Sequence, residues 1–177
     1  KIYSETGGEP LLLQHFMQHL YEISQNDKQV ITHEEFRDAR ERTYADALDH
    51  FNTIWAQLGL NERLTLTAIA ELLHTKGLQA ADTTRIEKWL INTDHPLDHT
   101  TISAAIRSLG YVDLVTGKAS NVYISAGLMR RWLLENTRLT QEMKAIPTEQ
   151  LESAQPRLLW LSAIMLTLIT LLVIILA

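Results

Sequence analysis

Cysteine is absent from the 177 residues, which excludes disulfides and thiolate metal sites and fits a reducing compartment. An excess of positive charge is also missing, since 16 Lys and Arg against 21 Asp and Glu leave a formal net charge of −5. That balance argues against a general nucleic-acid binder or a polybasic membrane-surface domain. The phosphate-binding loop Gly-x-x-x-x-Gly-Lys-Ser/Thr is absent as well. Gly117-Lys118 only mimics it, with Val112 at the first glycine position and Ala119 in place of the hydroxyl residue. Neither a Ser-His-Asp set nor a paired-carboxylate constellation stands out, and there is no internal repeat. No catalytic residue, metal ligand or Mg²⁺-binding acid is therefore assigned, and this segment alone is not expected to hydrolyse a nucleotide.

What the sequence does contain is a C-terminal apolar run. Leu158 to Ala177 carries no charge, and only Ser162, Thr167 and Thr170 interrupt it. At about 1.5 Å of rise per residue such a helix reaches roughly 30 Å, the thickness of a bilayer's hydrocarbon core. A transmembrane helix is expected over 157–177, preceded by a polar juxtamembrane linker over 137–156 that contains Pro147 and Pro156. Trp160 is placed like an interfacial anchor, and Arg130, Arg131, Arg138, Lys144 and Arg157 precede the span. They suggest a single-pass protein whose N-terminal side is cytoplasmic.

Helical periodicity dominates the rest. Pro10 after Gly7-Gly8 suits a first helical turn, and Leu13, Phe16, Leu20 and Ile23 follow at helical spacing, predicting a helix from Pro10 to Ser24. Thr32 and Glu35 form a capping box that opens one longer stretch with Tyr44, Leu48, Phe51, Trp55 and Leu58 as its apolar stripe. Then come a helix capped by Asn61, a second over Asp82 to Ile91, and a third from His99 to Leu109 capped by Asp98 and stopped by Gly110. Trp89, Ile102, Ile106 and Leu109 are expected to face inward. Val112 to Val115 and Asn121 to Ile124 read as strands joined by Thr116 to Ser120. A closing helix over Leu128 to Glu135 turns Met129, Trp132 and Leu133 inward and Arg130 and Arg131 outward. The expected fold is mainly α, with a helical part over 1–43 and a winged helix over 44–136, that is, three helices and a two-stranded wing.

The string Thr6-Gly7-Gly8-Glu9-Pro10-Leu11-Leu12-Leu13-Gln14 resembles the Gly-x-Pro element that opens the helical lid of AAA-like ATPases of the STAND class. Val122 to Leu133, VYISAGLMRRWL, is similar to the end of the winged helix that follows the lid in that family. The resemblance spans about residues 4 to 136 and makes 1–43 the lid. It implies that Pro10 packs against the adenine of ATP or ADP while Gly8 allows close backbone approach. It also implies a nucleotide-binding core N-terminal to Lys1, which holds most of the ligand, and assembly through the ATPase part. The segment would then be the membrane-anchored regulatory part of a nucleotide-dependent switch in signalling or defence, with any ATPase activity belonging to the parent chain. The opening on Lys1 agrees with a piece of a longer protein.

Two other readings compete. A winged helix plus a span also describes a membrane-bound one-component transcription regulator, and a winged helix can serve as a protein-interaction scaffold. Between Thr83 and Ser125, however, Arg85, Lys88, Arg107 and Lys118 are balanced by Glu87, Asp94, Asp98 and Asp113, which disfavours nucleic acid. His15 and His19 lie four apart with Glu22 a further turn away. A metal pair is possible geometrically, but a solvated helix face is the expectation.

Overall fold

The computed structural model describes residues 1–24, 30–78 and 80–137. The expected linker and transmembrane helix lie outside the described residues. Among the described residues the fold is mainly α, with eight helices and a two-stranded antiparallel hairpin; no helix among them is long and apolar enough to cross a membrane.

A short helix that the periodicity does not announce, α1 (Ile2–Thr6), precedes α2 (Pro10–Ile23). Proline suits the first position of α2 because its missing N–H would have no partner there. Leu12, Phe16 and Leu20 recur every four residues and are all buried, making one face of the helix. The capping box is present: Thr32 Oγ1 accepts from the Glu35 N–H at 3.2 Å and the Glu35 carboxylate accepts from the Thr32 N–H at 2.7 Å. It starts α3 (His33–Asp46). Phe16, Leu20 and Ala39 then form a small core closed by Ile2, Ile23 and Phe36, with the Phe16 and Phe36 rings 5.1 Å apart.

The single stretch expected from the Tyr44-to-Leu58 stripe is two helices, α3 and α4 (Leu48–Gln57), meeting at Ala47. The Ala47 N–H is shared between the carbonyls of Thr43 at 3.0 Å and Tyr44 at 3.3 Å, a bifurcated geometry usual where a helix ends. The break keeps Tyr44 and Phe51 both buried and leaves no Gly or Pro as a sequence marker.

α5 (Leu60–Thr75) is the central helix, with every residue from Leu64 to Ala70 buried. α6 (Thr83–Asn92), α7 (His99–Tyr111), the hairpin and α8 (Gly127–Asn136) all pack on it. Its start departs from expectation. Gly59, not Asn61, occupies the cap, and the Glu62 carboxylate accepts the Gly59 N–H at 2.7 Å. Glu62 also receives the Ser108 hydroxyl, so one carboxylate ties the start of α5 to α7. Asp98 caps α7 as expected, accepting the Thr101 N–H at 2.6 Å, and Asp82, expected as the first residue of its helix, caps α6 instead, accepting the Arg85 N–H at 2.9 Å. The Thr101 backbone N–H holds the Asp98 carboxyl below its ordinary range.

Ile102, Ile106 and Leu109 are buried as expected, but Trp89 is only partly so, and Ile86 and Leu90 supply the inner face of α6. The hairpin also shifts. α7 runs one residue past Gly110, Asp113 adopts φ +55°, and the Leu114 N–H returns to the Leu109 carbonyl at 3.0 Å. These contacts consume Val112 to Leu114, so β1 is Val115–Lys118. It pairs with β2 (Asn121–Ile124) in the register Val115 with Ile124 and Lys118 with Asn121, leaving Ala119-Ser120 as the turn. The outer edge of β2 is bridged by Ala81, whose N–H and carbonyl both bond Val122, at 2.8 and 2.7 Å.

Candidate functional site

The site is built at the bend between α1 and α2. Gly7 ends α1 in the left-handed conformation, φ +64°, with its N–H on the Tyr3 carbonyl at 2.8 Å. A Cβ at Gly7 would lie 2.9 Å from the backbone carbon of Ser125. The bend therefore rests directly on the backbone joining β2 to α8, and only glycine permits that approach. Buried Thr6 stiffens the turn, its hydroxyl accepting from the Gly8 N–H at 3.3 Å and donating to the Ile2 carbonyl at 3.2 Å. Gly8 follows at φ +82°, and a Cβ there would lie 2.7 Å from Tyr3 Cε2. Pro10 is exposed at the head of α2.

Gly8 and Pro10 line one cleft of about 610 Å³ together with α4, the α7–β1 turn and the β2–α8 corner. Its volume falls within the roughly 300–1,000 Å³ of small-molecule sites. Phe51, Ile54 and Met129 provide apolar wall; Asp113 and the Thr116–Ser125 hydroxyl pair, 2.7 Å apart, provide polar groups. Glu9 and His50 face each other across 2.9 Å at the same cleft. No Lys or Arg is among its described lining residues, so it suits a planar, partly apolar group better than a phosphate. The sequence pattern indicated Gly8 and Pro10 but not Tyr3, His50, Asp113 or Ser125. Those four come from separate elements that only the tertiary fold brings together. Gly117 and Lys118 lie on β1 and outside the lining.

A second cluster joins α3 to α8. Arg131, expected to point outward, is only partly exposed: it reaches Glu41 at 2.6 Å and Glu135 at 2.8 Å, and lies 4.1 Å above the Tyr44 ring. The Tyr44 hydroxyl donates to Glu135. Hydrogen bonds from Arg131 hold the Glu41 and Glu135 carboxyls below their ordinary value, and the two carboxylates in turn raise Arg131. Burial, reinforced by Glu135, pushes the Tyr44 phenol up to about 12.

The sign of the pH dependence follows. Two depressed carboxylates stabilise the fold above their unfolded value of 4.5 and lose that contribution as pH falls through the lower folded values. The raised phenol contributes below 10 and is lost as pH rises toward about 12. Arg131→Gln should therefore lower stability by about 1–2 kcal/mol near neutral pH, the sum of partly exposed ion pairs and a cation–π contact. It should also flatten the acid limb of a melting-temperature profile. An unaltered acid limb would remove this cluster as its source.

His15 and His19 are not a solvated face. His19 Nε2 bonds Asp46 on α3 at 2.8 Å and Nδ1 lies 3.5 Å from Glu22, while His15 Nδ1 is 4.0 Å from Asp46. The histidines serve to join α2 to α3. Among the described residues no group of three or more His, Cys, Asp or Glu is placed to hold a metal ion. In comparisons with known proteins, no protein-family model matches the chain and no curated protein matches it.

Proposed function

We propose that this segment is the helical lid and winged helix of a STAND-class, AAA-like ATPase, and that it acts as a nucleotide-dependent switch in signalling or defence. The observation that carries the reading is the shared cleft. Gly8 and Pro10 of the lid string line it together with the hairpin and α8, so a ligand seated there would touch the lid and the winged-helix part at once. A base enclosed in it would hold the two parts in one arrangement, and exchange of nucleotide would change what that arrangement is worth. The order α5, α6, α7, hairpin, α8, with Ala81 bridging β2, supports a winged helix.

In this reading the cleft receives the adenine end of ATP or ADP. The phosphates, Mg²⁺ and any hydrolytic acid belong to a nucleotide-binding core N-terminal to Lys1, through which the parent chain also assembles. The apolar segment 157–177 anchors the protein in a membrane as a single pass with its N-terminal side in the cytoplasm. DNA recognition through α7 is disfavoured, because Arg107 is the only Arg or Lys on that helix and phosphate contact supplies most non-specific affinity. The test is ADP binding by the full-length protein that carries this segment, before and after Pro10→Asp.

A further inference from the structure

We infer that Tyr3 is a stacking platform for the nucleobase, a role that rests on the nucleotide reading above and that the Gly-Gly-x-Pro string does not include. Tyr3 belongs to α1 and lines the same cleft as Gly8 and Pro10. Its ring lies on Gly8, where a Cβ would come within 2.7 Å of Cε2 and 3.4 Å of Cδ2. Any side chain at position 8 would displace the ring, so the glycine both makes the bend and reserves the ring's place. The ring is not there to fill a core. Tyr3 is 73% exposed, and its hydroxyl has no hydrogen-bond partner among the described residues.

An aromatic face left in water at the wall of a cleft whose described lining includes no Lys or Arg has an obvious use. Every nucleobase offers a π-face, and stacking on an aromatic side chain is insensitive to its hydrogen-bonding edge. Pro10 offers an apolar ring at the same cleft, so a planar base meets two rings, one from each side of the Gly7-Gly8 bend in sequence. The adenine edge would be read by other groups, and Tyr3 would add affinity without base selectivity.

The experiment is ADP and GDP titration of the full-length protein, alongside Tyr3→Phe and Tyr3→Leu, with thermal melts of each. Tyr3→Phe keeps the ring and should hold ADP affinity within about twofold. Tyr3→Leu keeps apolar bulk but loses the face, and should weaken ADP about 5- to 100-fold, the range that base stacking supplies. The ratio of ADP to GDP affinity should stay unchanged. Tyr3→Leu binding like the wild type, with an unchanged melt, would overturn the stacking role while leaving the nucleotide reading intact. A wild-type protein that binds neither nucleotide would overturn both. Equal weakening by Tyr3→Phe and Tyr3→Leu would assign the effect to the hydroxyl and would also overturn the inference.

Discussion

Truncating Trp132 to alanine is expected to destabilise the fold by about 3–5 kcal/mol, as measured by equilibrium urea unfolding. Trp132 is 3% exposed on α8. Its ring lies 6.2 Å from Phe51 and 5.8 Å from Trp55 on α4, and Phe51 in turn lies 6.3 Å from Tyr44 on α3. The indole thus packs α8 on α4, whose Phe51 carries the aromatic contact on to α3. Loss of the indole leaves a cavity beside aromatic rings held by α3 and α4, which cannot collapse together to fill it. Trp132→Phe should recover much of the loss because it keeps a ring in that space. A cost for the alanine variant below about 1 kcal/mol, the centre of ordinary point mutations, would show that the aromatic cluster does not join these helices.

Phe16→Ala should cost a similar amount, about 3–5 kcal/mol, through a different contact. Phe16 is fully buried in the small core that α2 and α3 share with α1, through Leu20, Ala39, Ile2, Ile23 and Phe36. With so few large side chains in that core, neighbouring residues have little apolar bulk to move into the vacated space. The same core orients α2, whose first residue is Pro10. Hydrogen exchange should accordingly show lost protection in α2 and α3 before α5, where Leu64 to Ala70 are all buried. Uniform loss of protection across all helices would contradict a separate α2–α3 core.

The elements legible in the sequence were those with a strong local signal. The Thr32–Glu35 capping box, the Asp98 cap of α7 and the inward set Ile102, Ile106 and Leu109 all stand where residue type and spacing put them. Misplaced boundaries have tertiary causes. The α3–α4 break at Ala47 carries no Gly or Pro, and β1 begins late because the Asp113 turn folds Leu114 back onto α7. The histidines of α2 looked like a solvated face because Asp46, their partner, is on another helix. In the candidate site, Gly8 and Pro10 were marked by a short string, whereas the cleft around them depends on Gly7 meeting the Ser125 backbone. That contact joins residues more than a hundred positions apart, and no local pattern encodes it.

The most direct measurement of the central claim is equilibrium titration of ADP into the full-length protein that carries this segment, repeated with Pro10→Asp. An aspartate at the start of α2 removes the apolar ring from the cleft and is compatible with a first helical turn. If Pro10 contacts the base, ADP affinity should fall about tenfold or more, equivalent to about 1.4 kcal/mol, with the thermal melt of the unliganded protein unchanged. Unchanged ADP affinity in an equally stable variant would contradict the account and leave the Gly-Gly-Glu-Pro string as a turn that joins two helices.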